Sequence, residues 1–263
     1  MTDTPFTFEV GDDPIVATAI HAGHGLRDEV ADLMLLPEDG RLREEDPFTE
    51  RWVGVAANRV IAHRSRFEFD LNRSPEKAVY RVPDDCWGLD VWKTEPPEDL
   101  VARSLAIHES YYAELAELCD RIIEAHGHVV VLDIHSYNHR RSGPNAAVDD
   151  PEANPEIIIG TAGISPGWDN VVDALSSALA ARPLTYAEPD VRFDVKFTGG
   201  NQVRWLKGRY GDRCCAFAIE FKKVYMDEWT GEADEQVIEA ISELMASATA
   251  ALRGALAERA RSH

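Results

Sequence analysis

The sequence predicts an α/β fold built on a mixed, mainly parallel sheet. Three observations carry this. Short continuous apolar runs rich in Val, Ile and Ala recur at residues 14–20 (PIVATAI), 128–134 (HVVVLDI), 156–160 (EIIIG) and 215–221 (CAFAIEF). They are too short for buried helices and too uniformly apolar for strands with one wet face, so they read as strands buried on both sides. A helical spacing of apolar residues (Leu105, Tyr112, Leu115, Leu118, Ile122) fills residues 100–125. Third, that helix passes directly into the second apolar run, the succession expected of a crossover unit.

Each element has its own signals. After an acidic leader, residues 14–20 form a strand that delivers His21 at its carboxyl end. The helix over 100–125 is preceded by Pro96-Pro97 and stopped by Gly127, the two residues best suited to open and close a helix. The following strand ends at His135. Residues 64–75 (RSRFEFDLNRSP) alternate Phe67, Phe69 and Leu71 with Arg66, Glu68, Asp70 and Asn72, the pattern of a strand with one apolar and one polar face. Residues 141–155, rich in Gly, Pro, Asn and Asp, read as a long loop. Further helices are expected near 169–181 and 235–259, and the apolar stripe from Val237 to Leu256 reads as core packing rather than a dimer face. No repeat or linker interrupts the chain, so one domain over 1–263 is expected.

With 27 Lys and Arg against 47 Asp and Glu, the 263 residues carry a formal charge of -20. A field of that sign repels phosphate, so neither nucleic acid nor an anionic membrane is an expected partner. An anionic small-molecule substrate therefore needs a local cluster of Arg. The four cysteines (Cys86, Cys119, Cys214, Cys215) lack CxxC spacing and read as reduced core thiols. No basic segment followed by an apolar run opens the chain, and no stretch reaches bilayer-spanning length, so a cytoplasmic protein is expected. Oligomeric state is not fixed by these features.

Three segments place His or carboxylate beside strand ends: HAGHG (21–25), REEDP (43–47) and LDIHSYNH (132–139). Together they can supply the three protein ligands of a catalytic zinc site, which keeps a position open for water. His21 alone would read as a solvated or structural histidine; Gly23 and Gly25 in a tight turn bring the ligand reading level with that one. His135 closes a rigid strand, and Asp133, two residues earlier, points the same way and can support it from behind. In REEDP two of the three acids read as an exposed turn and the third, Asp46, as the one reaching a metal. Arg66, Asn72 and Arg73 supply carboxylate-binding donors, and Gly199-Gly200 lets backbone approach a ligand. Glu220 breaks an apolar strand, so it is either a general base of raised pKa or the ion-pair partner of Lys222 or Lys223.

In order along the chain, IHAGHGLR (20–27), EEDPFTERW (44–52), SRFEFDLNRSP (65–75), LDIHSY (132–137), FTGGNQVRW (197–205) and AIEFKKVYMDE (218–228) resemble the N-formylglutamate amidohydrolases, relatives of aspartoacylase and the zinc carboxypeptidases. The resemblance runs through most of the chain, and the DLNR and IE…YMDE segments are its most specific parts. It implies a three-layer α/β/α fold of zinc-carboxypeptidase type. It implies that a divalent metal, zinc first, is held by His21, His135 and an acid from Glu45-Asp46, that Asn72 and Arg73 take the substrate carboxylate, that Arg66 takes the scissile carbonyl, and that Glu220 is the base. The expected activity is hydrolysis of an N-acyl acidic amino acid, N-formylglutamate first. A deacylase or peptidase acting on another N-acyl amino acid, or a non-catalytic metabolite-binding protein with the same cleft, stands as the alternative. Two departures bear on this. The aspartoacylase relatives use HxxE, whereas His24 occupies the acid's position here, which leaves the second ligand open among His24, Glu45 and Asp46. Family members tend to carry Asn-Arg after IE, where this chain has Phe221-Lys222-Lys223.

Overall fold

A computed structural model describes residues 4–184 and 189–261. Its centre is a seven-stranded sheet made of β1 (Phe6–Glu9), β2 (Ile15–Ala19), β3 (Asn58–Ala62), β4 (Val129–Tyr137), β5 (Ile157–Gly163), β6 (Val191–Phe193) and β7 (Cys214–Lys222), in the order β1-β3-β2-β4-β7-β5-β6. The pairs β3/β2, β2/β4, β4/β7 and β5/β6 are parallel, while β1/β3 and β7/β5 are antiparallel. Mixed and mainly parallel is therefore the observed sheet, as the apolar runs required.

Helices cover both faces, because each long strand is buried on both. Alternate residues of β4 divide between two cores: Val130, Leu132 and Ile134 pack with α4 (Asp169–Ala180) and α6 (Glu235–Arg261). Val129 and Val131 pack on the other side with α3 (Glu98–His126) and α5 (Asn201–Tyr210). The stripe from Val237 to Leu256 lies in the first of these cores. The 29-residue α3 starts after Pro97 with Glu98 and Asp99 in its first turn, favourable at the positive end of the helix dipole. It stops where Gly127 takes φ 80°, a conformation glycine adopts without steric cost. The four cysteines are buried and free. No helix among the described residues is long and apolar enough to cross a membrane.

Two readings of the sequence are corrected. Residues 64–75 form no strand but successive turns. Phe67 joins a small core with Tyr80 and Val91, whereas Phe69 and Leu71 join the core under α3. Arg66, Glu68 and Asp70 are buried as well, so the alternation reflects burial on all sides, and polar side chains bind the turns together. The second correction concerns β4, which does not end at His135 but continues to Tyr137, placing that histidine inside a rigid strand. Composition gave no hint of β1, β3 or β6, nor of α1 (Asp28–Leu33), α2 (Glu38–Glu44) and α5, which are short or strongly polar.

Candidate active site

The carboxyl ends of the central parallel strands meet at one cleft, the position where open α/β sheets offer ligands their loops. His21 follows β2, His135 lies on β4, and Glu220 on β7 sits directly opposite His135 in the parallel register. Because β4 and β7 are locked in register over nine residue pairs, this juxtaposition is a consequence of backbone pairing, not of loop conformation. The cleft is lined by these three with Asp46, Arg66, Asn72, Arg73, Arg141 and Lys223, among others. Size does not single it out: a groove beside His126 and Arg253 offers about 430 Å³ against about 130 Å³ here. The convergence of ionisable groups does.

At its floor, ligand atoms of His21, Asp46 and His135 lie within 4.8 Å of one another, all three residues buried. Both imidazoles turn Nδ1 toward Asp46 Oδ2, at 3.4 Å from His21 and 3.1 Å from His135. Each turns Nε2 onto a second buried carboxylate: His21 pairs with Asp70 Oδ1 at 2.7 Å, and His135 faces Asp133 Oδ2 at 3.1 Å. Two imidazoles and one carboxylate, with His21 hydrogen-bonded to Asp70 and His135 set beside Asp133, make a donor set that fits a divalent ion. Asp133 is itself anchored, accepting hydrogen bonds from Thr18 (2.8 Å) and Gln202 (2.7 Å). Asp46 accepts from Ser136 Oγ at 3.0 Å.

Electrostatics follow from this geometry. Burial works against the charge on Asp46, but hydrogen bonds from His135 and His21 outweigh it and hold the carboxyl below its ordinary range. Burial likewise opposes charge on His135, and Asp133 and Asp46 overcome it, so its pKa stands well above the ordinary value. Glu220 behaves in the opposite way. Burial raises it to about 7; His135 pulls it down, while Asp46 and Asp133 push it up. Among the described residues it has no hydrogen-bond or ion-pair partner. Lys222 bonds Glu156 at 3.0 Å and Lys223 bonds main-chain carbonyls, so the ion-pair reading of Glu220 is not what the structure contains.

Arg66 is buried and committed: it donates to Asp70 Oδ2 at 2.7 Å, to Tyr80 Oη at 3.2 Å and to the Glu44 carbonyl at 3.2 Å. Asn72 and Arg73 reach the same cleft, and Arg73 is the more open of the two arginines, 3.9 Å from Asp70. Three expectations fail in placement. His24 stands outside the cluster because Glu45 holds its Nδ1 at 2.5 Å and Glu38 its Nε2 at 3.3 Å. The Glu44 and Glu45 pair is not an exposed turn. Both are buried, Glu44 accepting two bonds from Arg141 and Glu45 accepting from Ser65 as well as His24. Gly199 and Gly200 do not line the cleft; a Cβ on Gly200 would lie 2.2 Å from Asn72 Oδ1 and one on Gly199 2.6 Å from Val203, so their smallness lets α5 close on Asn72 and the core.

Residues that the sequence did not single out for the site are Asp70, Ser136, Arg141, Gln202, Lys223 and Trp87. Trp87 takes φ 53° at the rim, its ring 4.9 Å from the Arg66 guanidinium and 5.8 Å from that of Arg141. For Asp70, a polar residue between Phe69 and Leu71 was the available signal.

The short bond to Glu45 raises the His24 pKa above its ordinary 6.5. His24 then contributes stability below the unfolded-state pKa, and loses it as pH rises through its folded value. An NMR titration is expected to find the raised value, and Glu45→Gln is expected to lower it; an unchanged midpoint in the variant would show that Glu45 is not the cause.

A buried His-Asp-His cluster that could hold a metal ion, with an unpaired carboxyl beside it, lies at the carboxyl edge of a mainly parallel sheet. A family model described as FGase, N-formylglutamate amidohydrolase, matches residues 13–226. The chain belongs to the N-formylglutamate amidohydrolase family. Among solved structures, an N-formylglutamate amidohydrolase from Ralstonia eutropha superposes with TM-score 0.74 at 20% identity, over 95% of this chain and 97% of that one. A gene product of Agrobacterium tumefaciens follows with TM-score 0.62 at 18% identity, over 95% of each chain. At those identities the likeness speaks for the fold. A search of curated proteins finds no match.

Proposed function

We propose that the protein hydrolyses the amide bond of an N-acyl acidic amino acid, N-formylglutamate first, with a divalent metal, zinc first, held by His21, Asp46 and His135. The single observation that carries this reading is the adjacency of that cluster to Glu220 in a cleft that also contains Asn72 and Arg73. A divalent ion there would supply Lewis-acid activation of water and of the amide carbonyl. Glu220, poised near neutrality, takes the proton from the attacking water and passes it to the leaving amine. Arg66, whose charge is fixed by Asp70, faces the carbonyl oxygen as negative charge develops there. Asn72 and Arg73 hold the substrate carboxylate, with Arg73 the freer cation. We take the chain as one domain over 1–263: His135 and Glu220 lie on the sheet, His21 follows β2, and Asp46, Arg66, Asn72 and Arg73 reach the same cleft from the turns beside it.

The test is a panel of N-formyl and N-acetyl amino acids, with formate and acetate release measured separately on enzyme of known metal content. The expected result is metal-dependent formate release that is fastest with N-formylglutamate. Equal turnover of acetyl substrates would move the assignment to a general deacylase. Failure to bind any divalent ion stoichiometrically would remove the catalytic reading altogether.

A further inference from the structure

Lys223 is a buried cation that the hydrolytic scheme leaves without a task. It is 2% exposed, follows β7 by one residue, and lines the cleft. A lysine in an anion-binding cleft would ordinarily be read as a carboxylate ligand. Its bonds say otherwise. Nζ donates to the carbonyl oxygens of Arg43 and Glu45, each at 2.6 Å. These are carbonyls at the end of α2, where a helix leaves its last C=O groups without partners and a cation is favoured by the dipole. Arg66 takes the carbonyl between them, that of Glu44, at 3.2 Å.

The Glu45 carbonyl belongs to the same planar peptide unit as the Asp46 N–H, which donates to the His21 carbonyl at 2.9 Å. That plane is therefore pinned at both ends, by the His21 carbonyl just past β2 on one side and by Lys223 on the other. Its orientation sets where the Asp46 side chain begins. We propose that Lys223 is the positioning residue for Asp46, fixing the preceding peptide plane so that the carboxylate meets His21 and His135 at the metal centre.

This rests on the assignment of Asp46 as a metal ligand, and the test separates the two. Zinc affinity is measured by chelator competition for the wild type, Lys223→Met, Asp46→Ala and the double variant, each checked for folding by circular dichroism. Lys223→Met keeps the side-chain length and removes the donors. It is expected to weaken zinc binding by roughly 10–100-fold, the range found when groups supporting metal ligands are removed. In the Asp46→Ala background the same substitution is expected to change affinity little, because its effect passes through Asp46. The cobalt-loaded Lys223→Met protein should show an altered visible absorption spectrum. Wild-type affinity in Lys223→Met, with Asp46→Ala weakened, overturns the positioning role and leaves the ligand assignment standing. An undiminished loss in the Asp46→Ala background also overturns it, since Lys223 would then act generally on the fold. Wild-type affinity in Asp46→Ala overturns the ligand assignment and the inference with it. If Lys223→Met does not fold, the cycle is run with Lys223→Gln and read in the same way.

Discussion

Glu220→Gln is expected to lower kcat by about 10²–10⁴-fold, the range for loss of a positioned general base, while metal content and substrate KM stay near wild type. Gln keeps the shape and can still accept a hydrogen bond, so what disappears is the capacity to take a proton. The wild-type profile gives an independent check. A base must be deprotonated, and burial raises Glu220 to about 7, so kcat/KM should climb with pH along an acid limb. A divalent ion beside it favours the carboxylate, which sets the midpoint of that limb at or below that value. The linked effect on stability has the opposite sign. A carboxyl raised in the folded state binds more protons folded than unfolded, and its contribution falls as pH rises from the unfolded pKa through the folded one. Glu220→Gln should therefore be at least as stable as the wild type at pH 8, though nearly inactive. Steady-state kinetics on metal-quantified protein decides the matter; wild-type turnover in the variant would remove Glu220 from the mechanism.

The parts of this site legible in the sequence are those carried by regular structure. His135 and Glu220 were readable because each interrupts or closes a run of apolar residues, and two such runs that pair in parallel must bring them side by side. His21 followed from the same logic on β2. Asp46 was read from REEDP as the acid reaching a metal, but the resemblance left it level with Glu45, since nothing in three consecutive acids states which one turns inward. The turns of 64–75 misled for a definite reason: alternation of apolar and polar residues signals a strand only when the polar face is wet. Here Glu68 and Asp70 are wholly buried because they are paired, Glu68 with Arg27 and Asp70 with Arg66 and His21. Pairing partners 41 and 49 residues away in sequence leave no local trace. The same holds for Lys223, whose partners lie 178 and 180 residues distant.

Asp70 carries the second large expectation, and it concerns stability as much as chemistry. Its two oxygens accept from the Asn72 amide at 2.7 Å, His21 Nε2 at 2.7 Å and Arg66 at 2.7 Å, together with the Tyr80 hydroxyl. The residue is fully buried, and burial opposes its charge, yet Arg66 and His21 hold its pKa well below the ordinary value. Asp70→Ala leaves the buried Arg66 guanidinium without its counter-charge, a change that typically costs about 3–5 kcal/mol. Asp70→Asn keeps the volume and some of the hydrogen bonds, so its loss should be smaller but of the same sign. A carboxyl depressed in the folded state contributes stability that is present above the unfolded pKa, about 3.9, and lost only as pH falls through the folded value. The wild-type contribution is therefore constant across neutral and mildly acidic pH. Urea unfolding at pH 7 should register the loss in both variants, and zinc affinity should fall alongside it, because His21 loses the acid that orients its ring. Arg66→Met in the Asp70→Ala background should recover part of the stability, since it removes the stranded charge. Full wild-type stability in Asp70→Ala, or no recovery in the double variant, would show that the Asp70–Arg66 pair does not bear on the fold as argued.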